Sequence, residues 1–159
     1  MICYAQYDSP LGVLLLSSED GCLTGLWMDR DPLPGWIPGP EEPVLVQARQ
    51  WLDDYFAGSQ PRITFPLAPG GTAFQQQVWL RLQAIPYGTG CTYGDIAREM
   101  QERTGKRMSA QAVGGAVGRN PISILIPCHR VVGQKGALTG YAWGLERKQW
   151  LLSHEGWKG

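Results

Sequence analysis

The chain has 159 residues, 43% of them hydrophobic and 18% charged, and its formal net charge is zero. This composition excludes a disordered chain, and no apolar run approaches the roughly 20 residues of a membrane span. Because the N-terminus also lacks the basic and apolar segments of a secretory signal, we expect a soluble, cytoplasmic protein of one domain or two small ones.

The zero net charge conceals an asymmetry along the chain. Residues 1–71 carry three basic and nine acidic side chains, whereas residues 72–159 carry eleven basic and five acidic ones. A basic region attracts a phosphate backbone, because each neutralised phosphate releases condensed counterions. The pattern favours nucleic-acid binding by the second part of the chain.

The first part of the chain predicts a small β-meander followed by a helix. Short apolar runs alternate with turns, a Pro/Gly-rich stretch interrupts them, and apolar residues then recur at helical spacing. The predicted elements are strands at 3–7, 13–16 and 22–28, an exposed loop at 31–43, a helix at 44–56, a strand at 63–65 and a linker at 67–71.

The second part predicts helices, beginning at Thr72, Thr92 and Ser109. Thr92 with Asp95 three residues later forms a capping-box pattern. The third helix has two glycines and three alanines, so one of its faces is nearly without side chains and suits close packing against another helix or against DNA. A helix, a turn and a small-residue helix in a basic region are typical of a helix-turn-helix DNA-binding unit.

The reactive residues follow Asn120-Pro121, where an apolar run at 122–126 leads into Cys128 and His129. A thiolate is a strong nucleophile, and a neighbouring histidine can help to form it. The pair alone is a weak signal, because a buried inert cysteine beside a core histidine gives the same residues. The four cysteines show no CxxC spacing and the chain has only two histidines, so we predict neither a disulfide framework nor a metal site.

The segments around this pair closely resemble the O6-alkylguanine-DNA alkyltransferase family, also called methylated-DNA–protein-cysteine methyltransferases. The matching segments are Asn120-Pro121, Pro127-Cys128-His129-Arg130-Val131-Val132, Gly140-Tyr141-Ala142-Trp143-Gly144 and Leu151-Leu152-Ser153-His154-Glu155-Gly156, and Ser9-Pro10-Leu11-Gly12 resembles the family's N-terminal strand turn. The resemblance implies an α/β (α+β) fold. A small N-terminal mixed sheet with a helix, ribonuclease H-like, would occupy residues 1–70, and a helical, winged-helix-like DNA-binding domain residues 71–159.

The resemblance also implies a role for each reactive residue. Cys128 would accept the alkyl group, His129 would act through a water as its general base, and Glu155 would orient the imidazole. Asn120 would brace the cysteine loop, and Tyr93 would offer its hydroxyl to the departing guanine. The implied pocket residues are Pro127, Val131, Tyr141, Ala142 and Trp143. Since no water removes the resulting thioether, one molecule repairs one lesion, without a cofactor.

The implied partner is double-stranded DNA that contains O6-alkylguanine, with O4-alkylthymine as a second expected substrate. A monomer would dock in the minor groove and rotate the target base out of the stack. The implied DNA-binding residues are Ser109, Ala110, Gln111, Ala112, Gly114, Gly115, Arg119 and Arg130. Many relatives carry arginine where Gln111 stands, so we expect weaker DNA binding or slower base flipping here.

Three other functions stay open at this point. An alkyltransferase-like protein would bind the lesion without transferring the alkyl group, but such relatives usually lack the cysteine. A helix-turn-helix regulator would bind a specific DNA sequence and leave the thiol unmodified. A cysteine hydrolase would turn over and would need an oxyanion hole, which the sequence does not reveal.

Overall fold

The computed structural model describes all 159 residues, which form two compact units. The first unit consists of Met1–Gly70 with Pro121–Ser123, and the second of Gly71–Asn120 with Ile124–Gly159. No helix is long and apolar enough to cross a membrane. The predicted fold class, a mixed sheet with a helix followed by a helical DNA-binding domain, is confirmed.

The first unit is built on a four-stranded mixed sheet in the order β3-β2-β1-β4. Its elements are β1 (Cys3–Ser9), β2 (Gly12–Glu19), β3 (Cys22–Met28), β4 (Ile37–Pro38) and helix α1 (Pro43–Phe56). Strands β1, β2 and β3 pair antiparallel, and β4 pairs parallel with β1. Helix α1 packs on the first three strands and contributes buried residues such as Trp51 and Leu52 to the core.

Two details of this unit differ from the prediction. The loop at 31–43 contains strand β4, in which Pro38 is tolerated because the strand lies at the edge of the sheet. Residues 63–65 are not a strand, since prolines flank them. The chain meets β3 only at a single bridge, where the amide of Leu23 donates to the carbonyl of Pro66 and the amide of Ala68 donates to that of Leu23.

The second unit is mainly helical. Its elements are α2 (Ala73–Gln83), β5 (Cys91–Thr92), α3 (Tyr93–Thr104), α4 (Ala110–Gly118), β6 (Val131–Val132) and α5 (Leu145–His154). Strands β5 and β6 pair in parallel, and short 3-10 turns lie at Cys128–Arg130 and Gln134–Gly136. The three predicted helices are present, whereas α5 and the two short strands were not predicted.

Side-chain caps fix where α3 and α4 begin. The hydroxyl of Thr92 accepts from the amide of Asp95, whose carboxylate accepts from the amide of Thr92, so the predicted capping box is present. The hydroxyl of Ser109 accepts from the amide of Ala112. The first cap makes Tyr93 the first residue of α3.

Candidate active site

The segment before Cys128 is buried and is held by Asn120. The Asn120 side-chain amide donates to the carbonyl of Ile126 at 2.7 Å, and the backbone amide of Cys128 donates to the same carbonyl at 2.8 Å, so this buried acceptor ties Asn120 to the cysteine turn. Ile124 has a φ of 72°, a left-handed conformation that is strained for a β-branched residue. Strain of this kind persists where surrounding contacts fix the backbone, and it is common at functional sites.

Cys128 opens the 3-10 turn and is 7% exposed. Burial raises the pKa of its thiol, whereas a hydrogen bond from Asn120 and the positive charge of Lys148 act in the opposite direction. Because burial dominates, Cys128 is a neutral thiol at neutral pH. It needs a base before it can act as a nucleophile.

His129 and Glu155 form a buried pair in which Nε2 lies 2.7 Å from Oε2. Burial lowers the pKa of His129, although the Glu155 carboxylate acts to raise it, so the imidazole is neutral. The carboxylate selects the tautomer with the proton on Nε2, which leaves the lone pair on Nδ1. Nδ1 is buried and has no hydrogen-bond partner. The imidazole therefore holds an unused proton acceptor next in sequence to the thiol.

Arg130 forms the second side-chain contact of the Glu155 carboxylate. Its Nε donates to Oε1 at 2.8 Å and its Nη2 to Oε2 at 3.1 Å, while the amide of Gly88 donates to Oε1 at 3.1 Å. Burial alone would raise the pKa of Glu155, but the bonds from His129 and Arg130 hold it well below its usual range. Glu155 is therefore a carboxylate at every physiological pH.

This geometry argues against the predicted contact of Arg130 with DNA. Its remaining nitrogen, Nη1, donates to the carbonyl of Ile85 at 2.7 Å, and the side chain is only 11% exposed. All three guanidinium nitrogens thus bind groups of the protein itself. A phosphate contact would require the buried bonds to Glu155 to break. The structure therefore argues that Arg130 holds Glu155 and does not contact DNA.

The hydroxyls of the two predicted site tyrosines, Tyr93 and Tyr141, make at most one long hydrogen bond. The hydroxyl of Tyr93 donates to the carbonyl of Thr139 over a long 3.4 Å, and that of Tyr141 is buried without a partner. Burial raises the pKa of both phenols, so both stay protonated and can donate. Of the other predicted pocket residues, Pro127 and Val131 are buried, Trp143 is half-buried and Ala142 is exposed.

Lys148 is a site residue that the sequence analysis missed. It lies in α5 and is fully buried, and its Nζ donates to the carbonyls of Val131, Thr139 and Gly140. One ammonium thus joins the segment after the cysteine to the segment before Tyr141. A helical reading of 145–154 could have found it, because Lys148 is three and four residues from the buried Leu151 and Leu152.

Helix α4 separates a packed face from an open one. Val113, Ala116 and Val117 are buried, and the indole nitrogen of Trp79 in α2 donates to the carbonyl of Ala116 at 2.8 Å. The predicted DNA-binding residues that are exposed are Ser109, Ala110, Gln111, Ala112, Gly115 and Arg119. Gly114 is half-buried, and a Cβ there would lie 3.6 Å from the Tyr93 ring, whereas one at Gly115 would meet nothing.

Comparison with known proteins agrees with this arrangement. Residues 2–69 match the family model for the ribonuclease-like domain of 6-O-methylguanine DNA methyltransferase, and residues 73–157 match the model for its DNA-binding domain. The chain belongs to this family. The resemblance inferred from the sequence is thereby confirmed.

Curated relatives and solved structures extend the match over nearly the whole chain. The methylated-DNA–protein-cysteine methyltransferase of Mycolicibacterium paratuberculosis is 45% identical over 98% of this chain and 93% of its own. The protein of that name from Haemophilus influenzae is 42% identical over 96% and 85%. The crystal structure of Mycobacterium tuberculosis OGT in complex with DNA matches with a TM-score of 0.86 and 42% identity, covering 96% of this chain and 92% of that one.

Proposed function

We propose that this protein transfers an alkyl group from O6 of guanine in DNA to the sulfur of Cys128, once per molecule. The observation that carries the proposal is that a thiol, an imidazole and a carboxylate lie buried together at the site. A neutral thiol is followed directly by an imidazole whose Nε2 binds a carboxylate and whose Nδ1 is free to accept a proton. This is the arrangement of a hydrolase triad with sulfur as the nucleophile.

The first step is deprotonation of Cys128. The thiol proton passes through a water to Nδ1 of His129, and the imidazole becomes an imidazolium. The proton on Nε2 stays on that nitrogen and remains hydrogen-bonded to Glu155. The fixed carboxylate stabilises this charge, because it is already oriented before the proton moves. Arg130 and the amide of Gly88 hold the carboxylate in that orientation from its far side.

The second step is displacement at the alkyl carbon. The thiolate forms a sulfur–carbon bond, the bond from that carbon to O6 breaks, and its electron pair stays on the guanine. The base then needs one proton, which the hydroxyl of Tyr93 supplies; the imidazolium of His129 returns a proton to the phenol through solvent. The products are a thioether and an unmodified guanine, and the scheme uses neither a metal nor a cofactor.

Access to the buried thiol requires a base that has left the duplex, because O6 cannot reach Cys128 from within the stack. The exposed small side chains of α4 suit close approach to the minor groove of double-stranded DNA with little base readout. Three exposed cations flank this helix: Lys106 and Arg107 lie in the turn before it, and Arg119 directly follows it. They are placed to contact phosphates of the bound DNA.

The proposal gives the two parts of the chain different roles. Residues 71–159 carry the reactive residues and the DNA-binding helix, and residues 1–70 act as a structural domain. Action as a monomer, cytoplasmic location and repair of O4-alkylthymine stay predictions.

Intact-mass measurement after mixing the protein with a duplex containing O6-methylguanine tests the proposal. We expect a gain of one methyl group, never more than one per molecule, that maps to Cys128 and is absent in Cys128→Ser. Tight lesion binding without a mass gain would favour a non-catalytic lesion-binding protein. Binding without preference for the lesion would favour a helix-turn-helix regulator.

A further inference from the structure

Two side chains of the second unit donate to the same backbone carbonyl. The Nζ of Lys148 lies 2.7 Å from the carbonyl oxygen of Thr139, and the hydroxyl of Tyr93 lies 3.4 Å from that oxygen. A carbonyl oxygen has two lone pairs, so it can accept from both donors. The two bonds are unequal, because the hydroxyl lies well beyond the roughly 2.7–2.8 Å that is usual for an O–H donor.

Lys148 reaches this oxygen from a fixed position. The residue is fully buried in α5, and its Nζ also donates to the carbonyl of Val131 at 2.5 Å and to that of Gly140 at 3.1 Å. These three bonds use all the donors of an ammonium. Burial lowers the pKa of Lys148 to about 8, so the side chain is still charged at neutral pH. The carbonyl of Thr139 is therefore bound by a charged donor whose place two further bonds fix.

Tyr93 reaches the oxygen from another side. It is the first residue of α3, and a Cβ at Gly114 of α4 would lie 3.6 Å from its ring, so neighbouring helices fix the ring. A Cβ at Gly140 would lie 3.7 Å from the hydroxyl, which places the hydroxyl beside the same two residues that Lys148 binds. Burial raises the pKa of Tyr93, so the phenol keeps its proton. The strength of the bond to Thr139 decides how readily that proton can go elsewhere.

The charge of Lys148 accounts for the weak bond of Tyr93. A hydrogen bond from a charged donor is roughly twice as strong as one from a neutral donor, so the ammonium takes the closer position on the shared oxygen. The positive hydrogens of the two donors also repel each other. The phenol is left with a long bond that a better acceptor can replace at little cost.

We propose that Lys148 is a positioning residue that keeps the hydroxyl of Tyr93 available, because it binds the carbonyl that would otherwise hold that hydroxyl. The inference rests on the proposed function, since it takes Tyr93 as the proton donor to the departing guanine. In that step the O–H bond of Tyr93 breaks, its electron pair stays on the phenol oxygen, and the proton joins the guanine. Little is lost at Thr139, because the bond there is already weak.

A double-mutant cycle tests whether Lys148 acts through Tyr93. Lys148→Gln removes the charge but keeps an amide donor for the carbonyls, and Tyr93→Phe removes the hydroxyl. The readout is the single-turnover rate of methyl transfer from a duplex containing O6-methylguanine at saturating protein, for the parent, both single variants and the double variant. Burial raises the pKa of Cys128 and the charge of Lys148 opposes that rise, but this effect is present in both tyrosine backgrounds and cancels from the coupling.

We expect Lys148→Gln to slow transfer about fivefold more when Tyr93 is present than in Tyr93→Phe, the rate equivalent of one ordinary hydrogen bond that must break. Lys148→Arg keeps a charged donor, so its effect should be the same in both backgrounds. Equal slowing by Lys148→Gln in the two backgrounds would mean that Lys148 acts only on the pocket segments or the thiol, and the proposal is wrong. A fivefold coupling in Lys148→Arg as well would assign the effect to side-chain shape and would also overturn it.

Carbon-13 NMR of the tyrosine Cζ atoms tests the hydrogen bond itself. Tyr7, whose hydroxyl donates to Asp53 at 2.7 Å, is a strongly bonded reference within the chain. In the parent protein Tyr93, assigned by its loss in Tyr93→Phe, should resonate near free tyrosine. In Lys148→Gln its resonance should move toward that of Tyr7, which itself should not move.

The NMR measurement decides the matter even where a lysine variant does not fold. A parent resonance of Tyr93 already at the value of Tyr7 would show a strong bond and would overturn the proposal. Absence of methyl transfer by the parent protein would instead refute the proposed function. The two failures are distinguishable, because the resonance of Tyr93 does not depend on transfer.

Discussion

Replacing Glu155 by glutamine tests the electrostatic arrangement of the site most directly. The substitution keeps the shape of the side chain and removes its charge. In the parent protein the carboxylate accepts from His129, from two nitrogens of Arg130 and from the amide of Gly88. Glutamine has one acceptor oxygen, so in either orientation of its amide a nitrogen of Arg130 must face an NH2 group that also donates.

The expected loss of stability follows from the burial of the pair. The side chain of Glu155 is 0% exposed and that of Arg130 is 11% exposed, so solvent does little to screen either charge. Removing one partner of a buried pair leaves the other charge uncompensated and costs about 3–5 kcal/mol. A loss of this size is a large part of the roughly 5–15 kcal/mol by which a domain is stable.

The pH dependence of this loss has a definite sign. The folded pKa of Glu155 lies below its ordinary value of 4.5, so the carboxylate stabilises the fold above that pH and the effect is lost as the pH falls further. The difference in unfolding free energy between the parent and Glu155→Gln should therefore be large at neutral pH and should shrink below pH 4.5.

Urea unfolding at neutral and acid pH measures both quantities. Glu146→Gln is the matched control, because Glu146 lies in α5, the helix that ends directly before Glu155, but is exposed, and its substitution should change the stability by less than about 0.5 kcal/mol. If Glu155→Gln costs no more than Glu146→Gln, or if its cost does not depend on pH, the buried pair does not stabilise the fold as argued. Methyl transfer by Glu155→Gln should also be slower, since the imidazolium loses its stabilising charge.

Three further substitutions probe α4, the helix that we propose binds DNA. Gln111→Arg should tighten duplex binding and increase the slope of log affinity against log salt by about one, which fluorescence anisotropy at several salt concentrations would show; an unchanged slope would mean that this position contacts no phosphate. Gly115→Ala should stabilise the fold by about 0.5–1 kcal/mol, since a Cβ there meets nothing, but should weaken DNA binding; unchanged affinity would take Gly115 out of the interface. Trp79→Phe should cost about 0.5–1.5 kcal/mol in urea unfolding, because the carbonyl of Ala116 loses the indole donor and keeps only the amide of Arg119, and a neutral result would indicate that the indole bond does not stabilise the fold.

The sequence predicted features whose causes are local. The capping box at Thr92 and Asp95 needs only residues three apart, and it was found where the pattern indicated. The meander and α1 follow from alternation and helical spacing of apolar residues within single segments. Strand β4 was not predicted because each of its residues pairs with a residue of β1 that lies 34 positions earlier and because only two residues pair.

The sequence predicted which residues form the site but not the hydrogen bonds that join them. The order of the matching segments identified Cys128, His129 and Glu155, and the structure joins the last two at hydrogen-bond distance. Arg130 was placed among the DNA-binding residues that the family resemblance implies. Only the folded chain brings it to Glu155, 25 residues later, where a buried carboxylate competes more strongly than an exposed phosphate contact.

Under the proposed function each molecule reacts once, and the burial of the site suits such a protein. Burial raises the pKa of Cys128 and lowers that of His129, so the proton rests on sulfur and the thiol is a poor nucleophile toward molecules in solution. The charges of Lys148 and Glu155 oppose the effect of burial on Cys128 and His129, so they lower the cost of charge separation without producing it in advance. A resting thiolate would be consumed by oxidants or stray electrophiles, and no later step would restore it. Under the proposed function, holding both groups neutral until an alkylated base fills the pocket would confine that single reaction to the lesion.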